Sequence, residues 1–325
     1  MNRMQERKKK RTKKRGIILL SLLLLIGAGV VFWVYQYNQG FTEAVDSTVK
    51  DKEFDLFEGE EPKFGEINVM LLGSDARKDE DGRSDTLIVA NYNQKTEKVK
   101  LISIMRDTYV SIPGHGKQKM NAAFSIGGPE LVRQTLKENF DLDVHYYAIV
   151  DFNGFPKMVD LIAPDGIEVD IPYTMQHGIG MTLQPGKQTL HGEELLGYVR
   201  FRHDKMSDFG RVARQQEALS KLKDEAVGFH SLVNLPKLLG TADAYVNTNL
   251  DKKTILSIAK GMLENKTGSL DTMRIPVDHS FVDRNVNVGQ VLDIDFEKNI
   301  QAIDEFLNPT VDTAADTTKD DEAQE

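Results

Sequence analysis
Three observations predict an α/β or mixed α+β layered domain set behind a single membrane-spanning helix. The run IILLSLLLLIGAGVVFWVY, residues 17–35, carries no charge, and as a helix it spans roughly 28 Å, about the hydrocarbon thickness of a bilayer. From Phe64 onward, β-rich runs such as INVMLLG, DTLIVANYN and VKLISIM are each followed by polar residues. Helical patterns then alternate with further apolar runs, and such elements bury their faces by stacking in layers around one core.

The elements follow in chain order. Residues 1–16 hold nine Lys or Arg against the single acid Glu6. Basic residues beside an apolar span stay in the cytoplasm, so the expectation is a cytoplasmic tail at 1–16, an anchor at 17–37 and the rest outside. Trp33, Tyr35 and Tyr37 close the span with rings suited to a headgroup zone. A cleaved signal peptide has a shorter apolar region ending in small residues, so these aromatics favour an uncleaved anchor. Residues 38–63 are polar and acidic and read as a spacer, with a short stalk helix around Phe41 to Val49. Strands are expected at 67–73, 85–93 and 99–105, then a helix over 127–140 with Pro129 in its first turn. Strand, helix and strand follow at 146–152, 153–163 and 166–172. Further helices are expected at 191–201, 208–229, 252–265 and 296–308, with a strand near 272–277. The folded domain is therefore placed at 64–308, and the small, acidic tail 309–325 is expected to be disordered. The chain has no cysteine, which excludes disulfides, thiolate metal sites and cysteine nucleophiles.

Three constellations carry candidate chemistry. In YVRFRHDKMSDFGRVARQQ, residues 198–216, the arginines Arg200, Arg202, Arg211 and Arg214 cluster in a chain whose net charge is −9. On a helix starting near Asp208, Arg211, Arg214 and Gln215 are spaced i, i+3, i+4 and are expected to share a face. Guanidinium forks match phosphate oxygens, which points to phosphate or pyrophosphate. The competing reading pairs these arginines with Asp204, Asp208, Glu193 and Glu194 on a solvated face. In GSDARKDEDGRSDT, residues 73–86, Asp75 and Asp85 flank a loop between neighbouring strands and also enclose Arg77 and Arg83. Two carboxylates converging at a sheet edge suit a hard divalent cation such as Mg²⁺, although acidic loops are often plain turns. In IMRDTYVSIPGHGKQKMNAAFSIGG, residues 104–128, Arg106 closes a strand, Lys119 follows a Gly-rich turn and Asn121 offers an amide. Asp107 reads as an exposed strand end and His115 as a turn residue. No HExxH, GxSxG or Walker pattern is present.

Taken in order, GSDAR…GRSDT, MRDTYVSIPGHGKQKMNAAFSIGG, YYAIVDFNGF and ELLGYVRFRHD…DFGRVARQQ resemble the LytR-CpsA-Psr family of Gram-positive cell-envelope proteins, and within it the MsrR type. The resemblance runs from about Phe64 to Lys223. It implies an α/β/α layered mixed sheet and a transferase that moves an anionic glycopolymer, such as wall teichoic acid or a capsule-like chain, from a polyprenyl-pyrophosphate carrier to peptidoglycan. It implies metal ligands at Asp75 and Asp85, holding Mg²⁺ or alternatively Mn²⁺, and pyrophosphate contacts at Arg106, Arg200, Arg202, Arg211 and Gln215. Arg83, Lys119 and Arg214 lie in the same motifs and join the expected anion-binding set, with Asp75, Asp85 and Arg106 the expected catalytic group. Met105 stands where the family commonly has proline. Two alternatives stay open: an envelope-linked regulator or attenuator acting indirectly on gene expression, and a polyprenyl-pyrophosphate hydrolase. No direct nucleic-acid partner is expected, because residues 1–16 hold no helix-turn-helix.

Overall fold
A computed structural model describes residues 26–43, 54, 57–62, 65–74, 84–204, 206–226, 229–264 and 270–309. The apolar run enters this set at residue 26 as the helix α1, described over residues 26–42. No described helix is long and apolar enough to cross a membrane, and residues 1–25, most of the expected anchor and its basic tail, lie outside the described set. So does most of the expected stalk helix, as does the acidic tail beyond residue 309.

The centre is a six-stranded mixed sheet built from β1 (Glu66–Ser74), β2 (Ser84–Asn93), β3 (Lys98–Ile104), β6 (Tyr146–Asp151), β9 (Val246–Thr248) and β10 (Asp271–Ile275). The order is β10-β3-β2-β1-β6-β9. β1 is antiparallel to β2 and parallel to β6, so the centre of the sheet carries both pairing types. Its strands read as near-continuous apolar runs because both faces are covered. Met70, Leu72, Val89, Ile102 and Ile104 face the main core, under α2 (Ala122–Phe140) and α8 (Phe296–Leu307). The alternate residues Ile67 and Val69 face the other way, where Ile258 of α7 (Lys252–Glu264) packs. This is the expected layered α/β architecture.

A second core lies beside the sheet. It joins α3 (Phe155–Ile162), the hairpin β7 (Ile167–Ile171) with β8 (Gly186–Leu190), α4 (Gly192–Arg200) and α5 (Ser207–Ala226) through Val159, Val169, Leu195, Tyr198 and Phe201. The helix α5 ties the two cores together: Val212 belongs to the first, while Ala218 and Leu222 belong to the second.

Several elements differ from the sequence expectation. The helix expected at 127–140 begins at Ala122 and is broken at Gly127 and Gly128, where φ is +63° at Gly128 and a Cβ would meet the Phe54 ring at 2.9 Å. Four short antiparallel elements were not anticipated: β4 (Tyr109–Ile112) with β5 (Gly116–Lys119), the strand β8, the strand β9 against β6, and β11 (Phe281–Val286) with β12 (Gly289–Ile294). The helix α6 (Phe229–Tyr245) was also missed, since it carries Pro236 inside it. In the stretch read as a spacer, Phe57 rests on Tyr147 with ring centroids 5.0 Å apart, and Phe54 packs on the main core. α1 crosses α6 where Gly40 and Gly240 face each other's backbones, and Tyr37 donates to Asp243 at 2.8 Å.

Candidate active site
The second core and the end of the sheet meet at a polar cleft. The C-terminal turn of α4 supplies Arg200, the loop after it supplies Arg202, and α5 supplies Arg211 and Gln215. Asp85 faces them from the start of β2. Thr86, Phe152, His177 and His203 complete the wall. Gln215 Nε2 donates to Thr86 Oγ1 at 3.0 Å, and the Arg200 guanidinium lies 5.0 Å from the Phe152 ring centroid.

Arg106 locks this cleft to the sheet. Its Nη1 donates to Asp85 Oδ1 at 2.9 Å and its Nε to Asp208 Oδ2 at 2.7 Å. Arg211 Nη2 approaches the same Asp208 oxygen at 3.4 Å, and Arg202 Nη1 stands 3.8 Å from Asp85 Oδ2. Four arginines thus face two carboxylates, and the cleft is electropositive. Burial would raise the Asp85 carboxyl, but the charge and hydrogen bond of Arg106, with Arg211 and Arg202 beyond, hold it below its usual range. Burial opposes the charge on Arg106 as well, and Asp208 and Asp85 outweigh it, raising that guanidinium. Arg211 is different. Burial pulls it below its ordinary value, Asp208 offsets part of this, and Arg106 adds repulsion. Its side chain is 4% exposed, and its buried Nε has no hydrogen-bond partner among the described residues. A buried N–H left unpaired costs about 1–3 kcal/mol.

The expected residues divide three ways. Asp85, Arg106, Arg200, Arg202, Arg211 and Gln215 come together as described. Asp75 and Arg83 lie outside the described residues. Arg214 and Lys119 are placed elsewhere. Arg214 is a correction to the shared-face expectation: it turns into the protein, donating to Asp204 Oδ2 at 2.8 Å and to the carbonyls of Tyr198 and Phe201. At about 100° per residue, Gln215 sits roughly 40° from Arg211 around the helix while Arg214 sits about 60° the other way. The helix therefore offers two of the three to the cleft. Lys119 pairs with Asp107 at 2.7 Å, on the far side of Arg106. The alternative reading holds for two of its partners, since Arg214 pairs with Asp204 and Arg211 with Asp208, but these pairs are buried and not on a solvated face, and Glu194 caps the backbone of His191.

Asp208, Phe152, His177 and His203 were not anticipated at the site. Phe152 directly follows β6, and His177 lies in the loop between β7 and β8, so neither carries a local signal. His203 stood in full view inside the arginine motif.

Among the described residues no group of three or more His, Asp or Glu is arranged to hold a metal ion. The residues that are present fit a Mg²⁺ ion shared with substrate, since Asp85 offers a hard carboxylate and Asp208 Oδ1 is buried without a hydrogen-bond partner among the described residues. Mg²⁺ usually takes one or two carboxylates, with phosphate oxygens and water completing its shell.

The model of the LytR_cpsA_psr family matches residues 30–307. The chain belongs to the LytR-CpsA-Psr family. It is 40% identical over 280 residues to the Staphylococcus aureus (strain COL) regulatory protein MsrR, covering 86% of this chain and 85% of the relative. It is 34% identical over 279 residues to a polyisoprenyl-teichoic acid–peptidoglycan teichoic acid transferase, TagU, from Oceanobacillus iheyensis, covering 82% and 86%. Among solved LytR-CpsA-Psr structures, Bacillus subtilis YwtF (TagT) with bound octaprenyl pyrophosphate lipid superposes with a TM-score of 0.57. It is 27% identical and covers 81% of this chain and 95% of its own.

Proposed function
We propose that this protein is a phosphotransferase that moves an anionic glycopolymer from a polyprenyl-pyrophosphate carrier to peptidoglycan. The observation that carries the reading is the buried Arg211 guanidinium, whose Nε has no hydrogen-bond partner among the described residues, set among Arg200, Arg202 and Arg106. Such a cluster pays its desolvation cost for a multiply charged ligand, and the diphosphate named for the lipid-bound relative has that charge. The teichoic acid transferase relative supports the reaction class.

In this reading the diphosphate lies in the arginine cleft, with its polyprenyl-side phosphate against Arg200, Arg202 and Arg211. Arg106 and Asp85 stand at the glycan-side phosphorus. A peptidoglycan hydroxyl attacks that phosphorus in line, forming a new P–O bond as the bridging P–O bond breaks. The electron pair leaves with polyprenyl phosphate, and the hydroxyl proton passes to water. Fixed guanidinium donors stabilise the charge that grows on the departing phosphate. Asp85, with Asp75, would hold a Mg²⁺ ion, which supplies charge neutralisation to the diphosphate when bound. Residues 17–37 serve as the anchor in this proposal and place residues 64–308 outside the cell, beside a membrane-borne donor. A regulatory effect, as in the name of the MsrR relative, then follows indirectly from envelope chemistry.

The test is a reconstitution with the full chain, a synthetic polyprenyl-pyrophosphate glycolipid and isolated peptidoglycan. Covalently attached glycan and free polyprenyl phosphate are expected in equal amounts. Free phosphorylated glycan with no attachment would make the protein a hydrolase, and no release of polyprenyl phosphate would remove the transferase reading.

A further inference from the structure
A second cleft opens on the far side of Arg106. Arg106, Asp107, Gln118, Lys119, Asn121 and Ser125 line it, and Val288, in the turn between β11 and β12, stands at its rim. Arg106 lines the second cleft and connects it to the first through Asp85. Its Nη1 donates to Asp85 of the first cleft at 2.9 Å, and its Nε lies 3.4 Å from Asp107 of the second. Gln118 at the end of β5 and Asn121 just before α2 are half-buried, and their side-chain amides make no hydrogen bond to the described residues.

We propose that this second cleft binds the acceptor, an N-acetylated, uncharged stretch of glycan whose hydroxyl is presented to the phosphorus beside Arg106. The inference rests on the transferase reading above and names the place of its second substrate. In-line displacement requires the attacking oxygen to arrive opposite the leaving group. With the leaving phosphate in the arginine cleft, a hydroxyl held in the second cleft would approach from beyond Arg106, away from that phosphate. The lining chemistry agrees. Lys119 is neutralised by Asp107 at 2.7 Å, so this cleft lacks the free positive charge that a diphosphate needs. Two uncommitted amides offer donors and acceptors together, matching sugar hydroxyls and the N-acetyl group, while Val288 and Ala122 give an apolar surface for the C–H face of a ring.

The experiment uses the full chain and two probes, polyprenyl pyrophosphate and a β-1,4-linked N-acetylglucosamine tetrasaccharide, with each affinity measured for wild type, the double variant Gln118→Ala/Asn121→Ala, and Val288→Trp. The double variant is expected to weaken tetrasaccharide binding by roughly tenfold, the loss of one or two hydrogen bonds, and Val288→Trp to weaken it by at least as much through filling the cleft, with polyprenyl-pyrophosphate affinity within about twofold of wild type in both. In the reconstituted reaction the KM for peptidoglycan should rise by the same factor, while hydrolysis of the donor by water is unchanged. Equal tetrasaccharide affinity in all three proteins overturns the inference, as does a parallel loss of lipid binding. If wild type binds no polyprenyl pyrophosphate, the transferase reading falls, and the tetrasaccharide measurement still decides whether the cleft takes glycan.

Discussion

Arg211 and Arg214 sit one turn apart on α5, and substitution should separate them. Arg211→Ala removes the donor proposed to meet the diphosphate and is expected to lower transfer by about 10²–10³. Asp208 keeps its 2.7 Å partner Arg106, so the melting temperature of this variant should change little. Arg211→Lys keeps the charge but loses the fork and should also transfer poorly. Wild-type transfer by purified Arg211→Ala would move the active site off this helix. Arg214→Ala should do the reverse. It leaves Asp204, whose side chain is 5% exposed, without its guanidinium, at a cost of about 3–5 kcal/mol read by denaturant unfolding. Asp204 also sets a pH dependence. Burial would raise its carboxyl, but hydrogen bonds from Tyr173 and Arg214 and the Arg214 charge hold it lower. A folded pKa below the unfolded value, about 3.9, gives stability that is complete above that pH and lost as pH falls through the folded value. Asp204→Asn should therefore flatten the acid limb of the stability curve below about pH 4; an unchanged limb would mean that this carboxylate is not the titrating group. For the proposed metal, Asp75→Ala and Asp85→Ala should each abolish Mg²⁺-dependent transfer with the circular dichroism spectrum unchanged. Full activity of either variant in a chelator would remove the ion from the mechanism.

At the scale of elements, the crossing of α1 on α6 makes a sharper test than any single contact. A Cβ at Gly240 would lie 2.1 Å from the Tyr37 carbonyl oxygen, and one at Gly40 would lie 2.2 Å from that of Lys237. On a free helix, Gly→Ala stabilises by about 1 kcal/mol. Here the contact is backbone to backbone and cannot yield without moving a helix, so Gly240→Ala should lower the melting temperature of the full chain. Deleting residues 1–43 should reverse the sign, because the obstructing carbonyl is gone. A stabilising Gly240→Ala in the full chain would show that the two helices do not meet in this way. The crossing also joins the expected anchor to the folded domain through the Tyr37–Asp243 hydrogen bond and the Lys237–Glu43 ion pair at 2.9 Å.

For the whole molecule, the proposed topology predicts that the full chain remains in membranes after an alkaline wash, whereas a chain starting at residue 38 is released. Protease added outside intact cells should digest residues 64–308, and protection of that domain would place it on the cytoplasmic side. The arrangement of two cores makes sense of the site at this scale. One core is the sheet with its covering helices, the other is the α3–α5 unit, and α5 belongs to both. The arginines of α4 and α5 meet the carboxylate of β2 at their junction.

The sequence by itself determined the layered α/β class, the three leading strands, four of the later helices and the residue types of the arginine cleft. These follow from local periodicity and from guanidinium chemistry, which need no knowledge of distant contacts. The elements it did not show are those held by partners far along the chain. The β11–β12 hairpin is tied to the chain just after β3, where Leu292 bridges to Thr108 and its N–H donates to the Asp107 carbonyl at 2.9 Å. α6 keeps Pro236 within a helix that packs on α3 and on α1. At the site, the shared motif could not say that Arg214 faces inward while Arg211 faces the cleft, because helix spacing fixes angular separation but not which side is buried. That was decided by the position of Asp204 and of the carbonyls of Tyr198 and Phe201. Nor could it bring Asp208 between Arg106 and Arg211, a meeting across 102 residues of chain that exists only because α5 packs against the end of the sheet. Local pattern supplied the charged groups; the packing of the two cores decided which of them line the cleft and which are turned into the protein.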